Sequence, residues 1–110
     1  MAHPSKAVGS SKLWTGKTLV APATSSGDHH HGGAETSIYV VSGDPVSVFA
    51  DGENEVRLET EPGDFVFVPP YAPHREETPG DTEAVVVISR SSQEGVVVNL
   101  PGLWSPVDRS

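Results

Sequence analysis

The 110-residue sequence contains no cysteine, so neither a disulfide framework nor a thiolate-rich metal site can be built from it. No apolar run approaches the roughly 20 residues that cross a bilayer as a helix, and the opening stretch MAHPSKAVGSSKLW lacks the apolar centre of a secretory signal. A cytoplasmic protein is the resulting expectation. Basic side chains are scarce, seven against fifteen acidic ones for a net charge of -8, which makes a phosphate backbone or an anionic membrane surface an unfavourable neighbour. Neither nucleic acid nor membrane is expected as a partner. Uninterrupted stretches suited to long helices are also missing, because ten prolines and eleven glycines punctuate the chain.

What is present is a series of short β-branched and aromatic segments separated by turn residues. Lys17 to Ala21 is a short strand that Pro22 ends, and Thr36 to Val41 is another that stops at Ser42-Gly43-Asp44-Pro45. Val46 to Ala50 and Glu55 to Thr60 flank Asp51-Gly52 and form a hairpin signal. Phe65 to Val68 is apolar on both faces and reads as a central strand covered on both sides. Segments starting at His74, Ala84 and Val96 follow, for about eight strands and no helix, which predicts an all-β barrel or two-sheet sandwich. The length suits one domain over residues 13–104, with a loose arm over 1–12 and a tail over 105–110.

The chemistry concentrates in GDHHHGGAET, residues 27–36. In an extended chain His29 and His31 share a face while His30 points oppositely. If the chain turns at Gly32-Gly33, Glu35 returns to the side of His29 and His31, giving two nitrogens and a carboxylate oxygen of the kind that suits a first-row divalent ion. The remaining histidines are His3, in the arm, and His74, which follows the stiff turn Pro69-Pro70-Tyr71-Ala72-Pro73. Taken alone, the triple histidine reads more readily as a solvated glycine-rich loop than as a ligand set.

Two spaced motifs combine these pieces, and with them the sequence resembles the cupin family. Its first motif, G(x)5HxH(x)3-4E(x)6G, is matched at its centre by His29 to Glu35; its second, G(x)5PxG(x)2H(x)3N, is matched at Gly63, Pro69 and His74. The departures are a glycine before the histidines replaced near Thr24, seven rather than six residues between Glu35 and Gly43, Tyr71 in place of a glycine and Thr78 in place of an asparagine. The extra residue after Glu35 implies a β-bulge or a late turn and leaves the facing of Ser37, Ile38 and Tyr39 open.

The resemblance implies a double-stranded β-helix, or jelly-roll barrel. It also implies one divalent transition metal ion per chain (manganese, iron, nickel, cobalt or zinc) held by His29, His31, Glu35 and His74, and a homodimer. Such a set leaves positions on the ion open for water, dioxygen or a chelating small molecule such as a carboxylate. By strand parity Glu76 joins the inward face of His74, and Tyr39 shares the face of Glu35 if no bulge intervenes; both are candidate proton-transfer groups. Two functions compete: a metal-dependent oxygenase, decarboxylase, lyase or isomerase, or a non-catalytic cupin that binds or senses a small ligand. A metal-free sugar-phosphate isomerase fits less well, because phosphate calls for cations inside the barrel. Leu100 to Trp104 and the segment around Trp14 are expected to supply the interface between copies.

Overall fold

The computed structural model describes residues 12–93 and 96–107, so most of the expected N-terminal arm, with His3, and the end of the tail lie outside the described residues. Ten strands are formed: β1 (Trp14–Val20), β2 (Thr24–Ser25), β3 (His29–His30), β4 (Thr36–Ser42), β5 (Val46–Asp51), β6 (Asn54–Glu59), β7 (Phe65–Val68), β8 (His74–Thr78), β9 (Ala84–Arg90) and β10 (Val98–Asn99). They pair antiparallel into two sheets. The first runs β1-β9-β4-β7 and the second β10-β3-β8-β5-β6, with β2 also paired to β8. The sheets face one another as a jelly-roll barrel, all-β as the sequence predicts.

Alternation along each strand decides what fills the interior. On β4 the even residues Thr36, Ile38 and Val40 are buried while Val41 is exposed. Ile38, Val66, Val68 and Val86 make the main core, with Val20, Phe49, Ala72 and Ile88 packed against it. The turn predicted at Asp51-Gly52 closes the β5–β6 hairpin, pairing Asp51 with Asn54, and Gly52 takes the positive φ of 60° that so tight a turn requires. The extra residue before Gly43 is accommodated as a bulge: the β4–β9 register shifts between Val40 and Ser42, after the inward residues have been set.

One sequence expectation is corrected. It concerns β7, which is an edge strand of its sheet: Val66 and Val68 face the core, while Phe65 and Phe67 are 72 % and 57 % exposed on the outer face. The segment after β10 packs on its own chain. Leu103 is buried against Val46 and Val48 on the outer face of β5, and the Trp104 indole N–H donates to the Gly52 carbonyl. This stretch therefore straps the second sheet of its own chain through Leu103, while the Trp104 ring stays 54 % exposed. The strap continues directly from β10, which pairs Asn99 with His29 and Val98 with His30.

Among the described residues two other than glycine adopt positive φ, Ala23 at 55° and Tyr71 at 60°. Tyr71 occupies the glycine position of the second motif. Ala23, six residues before His29, occupies that of the first, one place earlier than the sequence reading at Thr24. Both turns thus keep the left-handed geometry that glycine adopts freely, at a cost that a Cβ imposes.

Candidate metal centre

His29 on β3, His31 just beyond it, and His74 and Glu76 on β8 come together inside the barrel. One ligand atom from each lies within 4.8 Å of all the others. The register produces this convergence: β3 pairs with β8 at His29 and His74, and parity carries Glu76 to the same inward face. Imidazole centroids are separated by 4.4 Å (His29 and His74), 4.9 Å (His29 and His31) and 5.1 Å (His31 and His74). Phe49 stacks on His74 from the neighbouring strand at 5.6 Å.

Each of the three rings is held by a main-chain carbonyl through the same nitrogen. Nδ1 donates to Gly27 O at 2.7 Å from His29, to Val96 O at 3.1 Å from His31, and to Ala72 O at 2.9 Å from His74. Those bonds fix the proton on Nδ1 and leave each Nε2 with its lone pair directed elsewhere, the arrangement that prepares imidazole as a metal ligand. The strongest sign is Nε2 of His74: the side chain is fully buried and that nitrogen has no aligned hydrogen-bond partner, although Glu76 Oε1 is 3.1 Å away. A buried polar atom without a partner calls for an explanation. A cation at the centre of three imidazole nitrogens and a carboxylate provides one, so the residues present fit a divalent ion.

Glu76 completes the group. Its Oε2 is 3.5 Å from Nε2 of His29 and accepts a hydrogen bond from the Ser26 hydroxyl at 3.1 Å. Ser26 also accepts the Glu76 N–H through Oγ, so both ends of this glutamate are clamped by one residue. Burial pulls the His74 pKa down, but the facing Glu76 carboxylate and the Ala72 carbonyl outweigh it and hold it above the ordinary histidine value. Burial pushes Glu76 up, and the charges of His74 and His29 with the Ser26 hydroxyl bring it below the usual carboxylate range. His31 titrates below its ordinary value because burial and its histidine neighbours together outweigh the Val96 carbonyl and Glu76.

The structure does not bring Glu35, expected beside His29, His31 and His74, into this group. Glu35 is exposed; its main chain pairs with Ser91, the Glu35 N–H donating to Ser91 Oγ and the Ser91 N–H to Glu35 O. The inward position at the start of β4 belongs to Thr36, with six residues between it and Gly43, which is the spacing of the family motif. A one-residue offset moves a side chain to the opposite face of a sheet. Tyr39, of the same parity as Glu35, likewise faces outward, with its ring 4.7 Å from that of Phe65.

His30 is buried but points away from its neighbours and accepts the Gly32 N–H on Nδ1, shaping the turn rather than the centre. Its pKa is lowered by burial and by the charges of His29 and His74. Arg75 and Glu77 face out, as parity predicts, and pair with each other at 2.8 Å. Ser26 and the Val96 carbonyl were not legible: a serine in a loop and a peptide oxygen 65 residues away carry no sequence signal.

Beyond Glu76 the interior continues into a cavity of about 40 Å³ walled by Val20, Ile38, Val40, Val66 and Val86, with Ser47 and Thr78 as polar edges. It has room for a methyl-sized group or a water. No described helix is long and apolar enough to cross a membrane.

Comparison with known proteins shows where this architecture stands. No curated protein sequence matches the chain significantly. Among solved structures, oxalate decarboxylase of Bacillus subtilis superposes with a TM-score of 0.75 at 23 % identity, covering 89 % of this chain and 26 % of that one. Oxalate oxidase in complex with the substrate analogue glycolate gives 0.72 at 22 %, over 82 % and 47 %. Peruvianin-I, a cysteine peptidase from the latex of Thevetia peruviana, gives 0.71 at 19 %, over 81 % and 56 %. The chain thus spans between about a quarter and just over half of the length of these proteins, and at such identities the likeness is one of fold. The model of the cupin domain matches residues 16–89, about two-thirds of the sequence. This chain belongs to the cupin family.

Proposed function

We propose that the protein binds one divalent transition metal ion through His29, His31, His74 and Glu76 and uses it to act on a small organic molecule, as a metal-dependent enzyme of the oxygenase, decarboxylase, lyase or isomerase type. The observation that carries this reading is the common state of the three imidazoles, each tied through Nδ1 to a carbonyl, with their ligand atoms and a Glu76 oxygen gathered within 4.8 Å of one another. Three nitrogens and one carboxylate oxygen accept manganese, iron, nickel, cobalt or zinc. A bound ion would polarise a carbonyl or carboxylate oxygen of the ligand and, if iron or manganese, could exchange electrons.

The chain's own part is positional. Carbonyls orient the rings, Ser26 holds the Glu76 carboxylate, and Phe49 with the aliphatic wall keeps the inner side of the group dry. The similarity to oxalate decarboxylase and oxalate oxidase favours a carboxylate or another chelating substrate. A cytoplasmic location suits the cysteine-free composition. We further propose a homodimer formed through the outer face of the first sheet, where Leu19, Val41, Phe65 and Phe67 are exposed together.

The test is elemental analysis of untagged protein beside His74→Ala and a His29→Ala, His31→Ala double variant. Near one equivalent of a transition metal in the parent and none in the variants supports the reading. A parent that takes up no metal from excess manganese, iron, nickel, cobalt or zinc overturns it. A loaded protein that binds small carboxylates but leaves them unchanged under air would instead be a ligand-binding cupin.

A further inference from the structure

The arginines on the outer face of the second sheet are saturated with carboxylates. Arg75 contacts Asp28 at 3.3 Å, Glu55 at 2.8 Å and Glu77 at 2.8 Å, and Arg57 contacts Glu77 at 2.9 Å. Arg90 differs. In a chain with fifteen acidic residues it has no ion pair among the described residues, and its buried Nε has no hydrogen-bond partner. Its guanidinium lies over the Trp14 ring, 4.2 Å from the centroid. Burial shifts its pKa downward, with no compensating acid among the described residues.

Cross-strand register puts Arg90 opposite Trp14 on one side and Thr36 on the other. Thr36 is 3 % exposed, and its hydroxyl is likewise without a partner. Two adjacent residues therefore carry donors that the protein leaves unused, at the end of the first sheet opposite to that of the Val40 and Val66 cavity wall. Both border a groove of about 240 Å³ that is also lined by Ser37, Ser89 and Ser91. Leaving buried polar groups unsatisfied is costly unless something else satisfies them.

We propose that Arg90, at the border of this groove, binds the carboxylate group of a small organic acid. A guanidinium presents parallel N–H donors matched to a carboxylate, and the Trp14 ring holds its plane fixed. A monoanion fits better than phosphate, because Arg90 is the single cation lining the groove among the described residues and Glu35 borders the same groove. The site uses none of the four metal-centre residues, so it stands or falls independently of the metal.

The experiment titrates metal-free protein, kept in excess chelator, with acetate, glycolate and inorganic phosphate while the side-chain N–H signals of Arg90 and Trp14 are followed by NMR. A Trp104→Phe variant assigns the Trp14 indole. Saturable shifts of both signals with the carboxylates at millimolar concentration are expected. They should be abolished in Arg90→Gln and weakened about tenfold in Arg90→Lys, which keeps the charge but loses the fork; the lysine variant carries the test should the glutamine variant fail to fold. The proposal is overturned if neither signal moves up to about 50 mM ligand, if the shifts persist undiminished in the Arg90 variants, or if phosphate binds more tightly than the carboxylates.

Discussion

Replacing Glu76 by Gln should reduce metal affinity by about 100-fold or more, while the same change at Glu35 should leave it within about twofold. The first figure starts from the 10- to 100-fold lost when a group merely supporting a ligand is removed. Glu76 lies within 4.8 Å of all three imidazole ligand atoms and contributes the only negative charge of the group, so its loss belongs at or above the top of that range, about 2.7 kcal/mol. The second figure reflects an exposed carboxylate on the outer side of the sheet, whose influence on the centre is screened by water and salt. Glutamine keeps the size of the side chain and its hydrogen bond from Ser26 Oγ, so packing is held constant. The assay is competition for manganese or zinc against a chromogenic chelator at fixed pH, with untagged protein and the fold of each variant checked by circular dichroism. Equal losses in the two variants, or a larger loss in Glu35→Gln, would refute the register argument, since the metal-bound chain would then have to turn Glu35 inward and Thr36 out.

Three further outcomes follow from other parts of the molecule. In metal-free protein the His74 contribution is complete below pH 6.5 and lost as pH rises through its raised pKa, and the Glu76 contribution is complete above pH 4.5 and lost as pH falls through its lowered one. The melting temperature in chelator should therefore be best supported between those values, whereas the gain from added metal should grow as pH rises through the His74 pKa, because the ion must displace its proton; paired melting curves across pH check both signs. Ala23→Gly should stabilise the protein by about 0.5 to 1 kcal/mol, since the relief of a positive φ at an exposed turn exceeds the added freedom of the unfolded chain. Leu103→Ala should cost about 2 to 3 kcal/mol by opening a cavity over Val46 and Val48. Denaturant titration measures both.

Most of the fold could be read from alternation and turn chemistry. The β5–β6 hairpin and the stop after Val68 follow from Asp51-Gly52 and Pro69-Pro70, signals that act through local backbone geometry. His29, His31 and His74 were legible because rigid turns and strand parity position them. Glu35 misled because parity must be counted from a fixed register, and the turn through Gly32-Gly33 removes that reference; only the pairing of Thr36 with Val68 and Arg90 restores it. Phe65 and Phe67 misled for another reason. An apolar residue facing outward has the same sequence signature whether a neighbouring layer covers it or not, and here no described element does. The roles of Ser26, Val96 and Leu103 were hidden because each acts across the fold on a residue far away in the chain.

The dependence of His31 on the Val96 carbonyl sets an order of events during synthesis. A nascent chain that has exposed residues up to 93 can already pair most of the strands of both sheets and bring β3 against β8. It still lacks the oxygen that orients the His31 ring, the strand beside His29 and the leucine that fastens them to the outside of the barrel. The candidate metal-binding group is therefore completed late, by residues 96–103, after the barrel around it can close. An ion captured earlier would meet a looser set of ligands, so if the group holds a metal, the emergence of this stretch from the ribosome is the step at which binding would change from weak and exchangeable to retained.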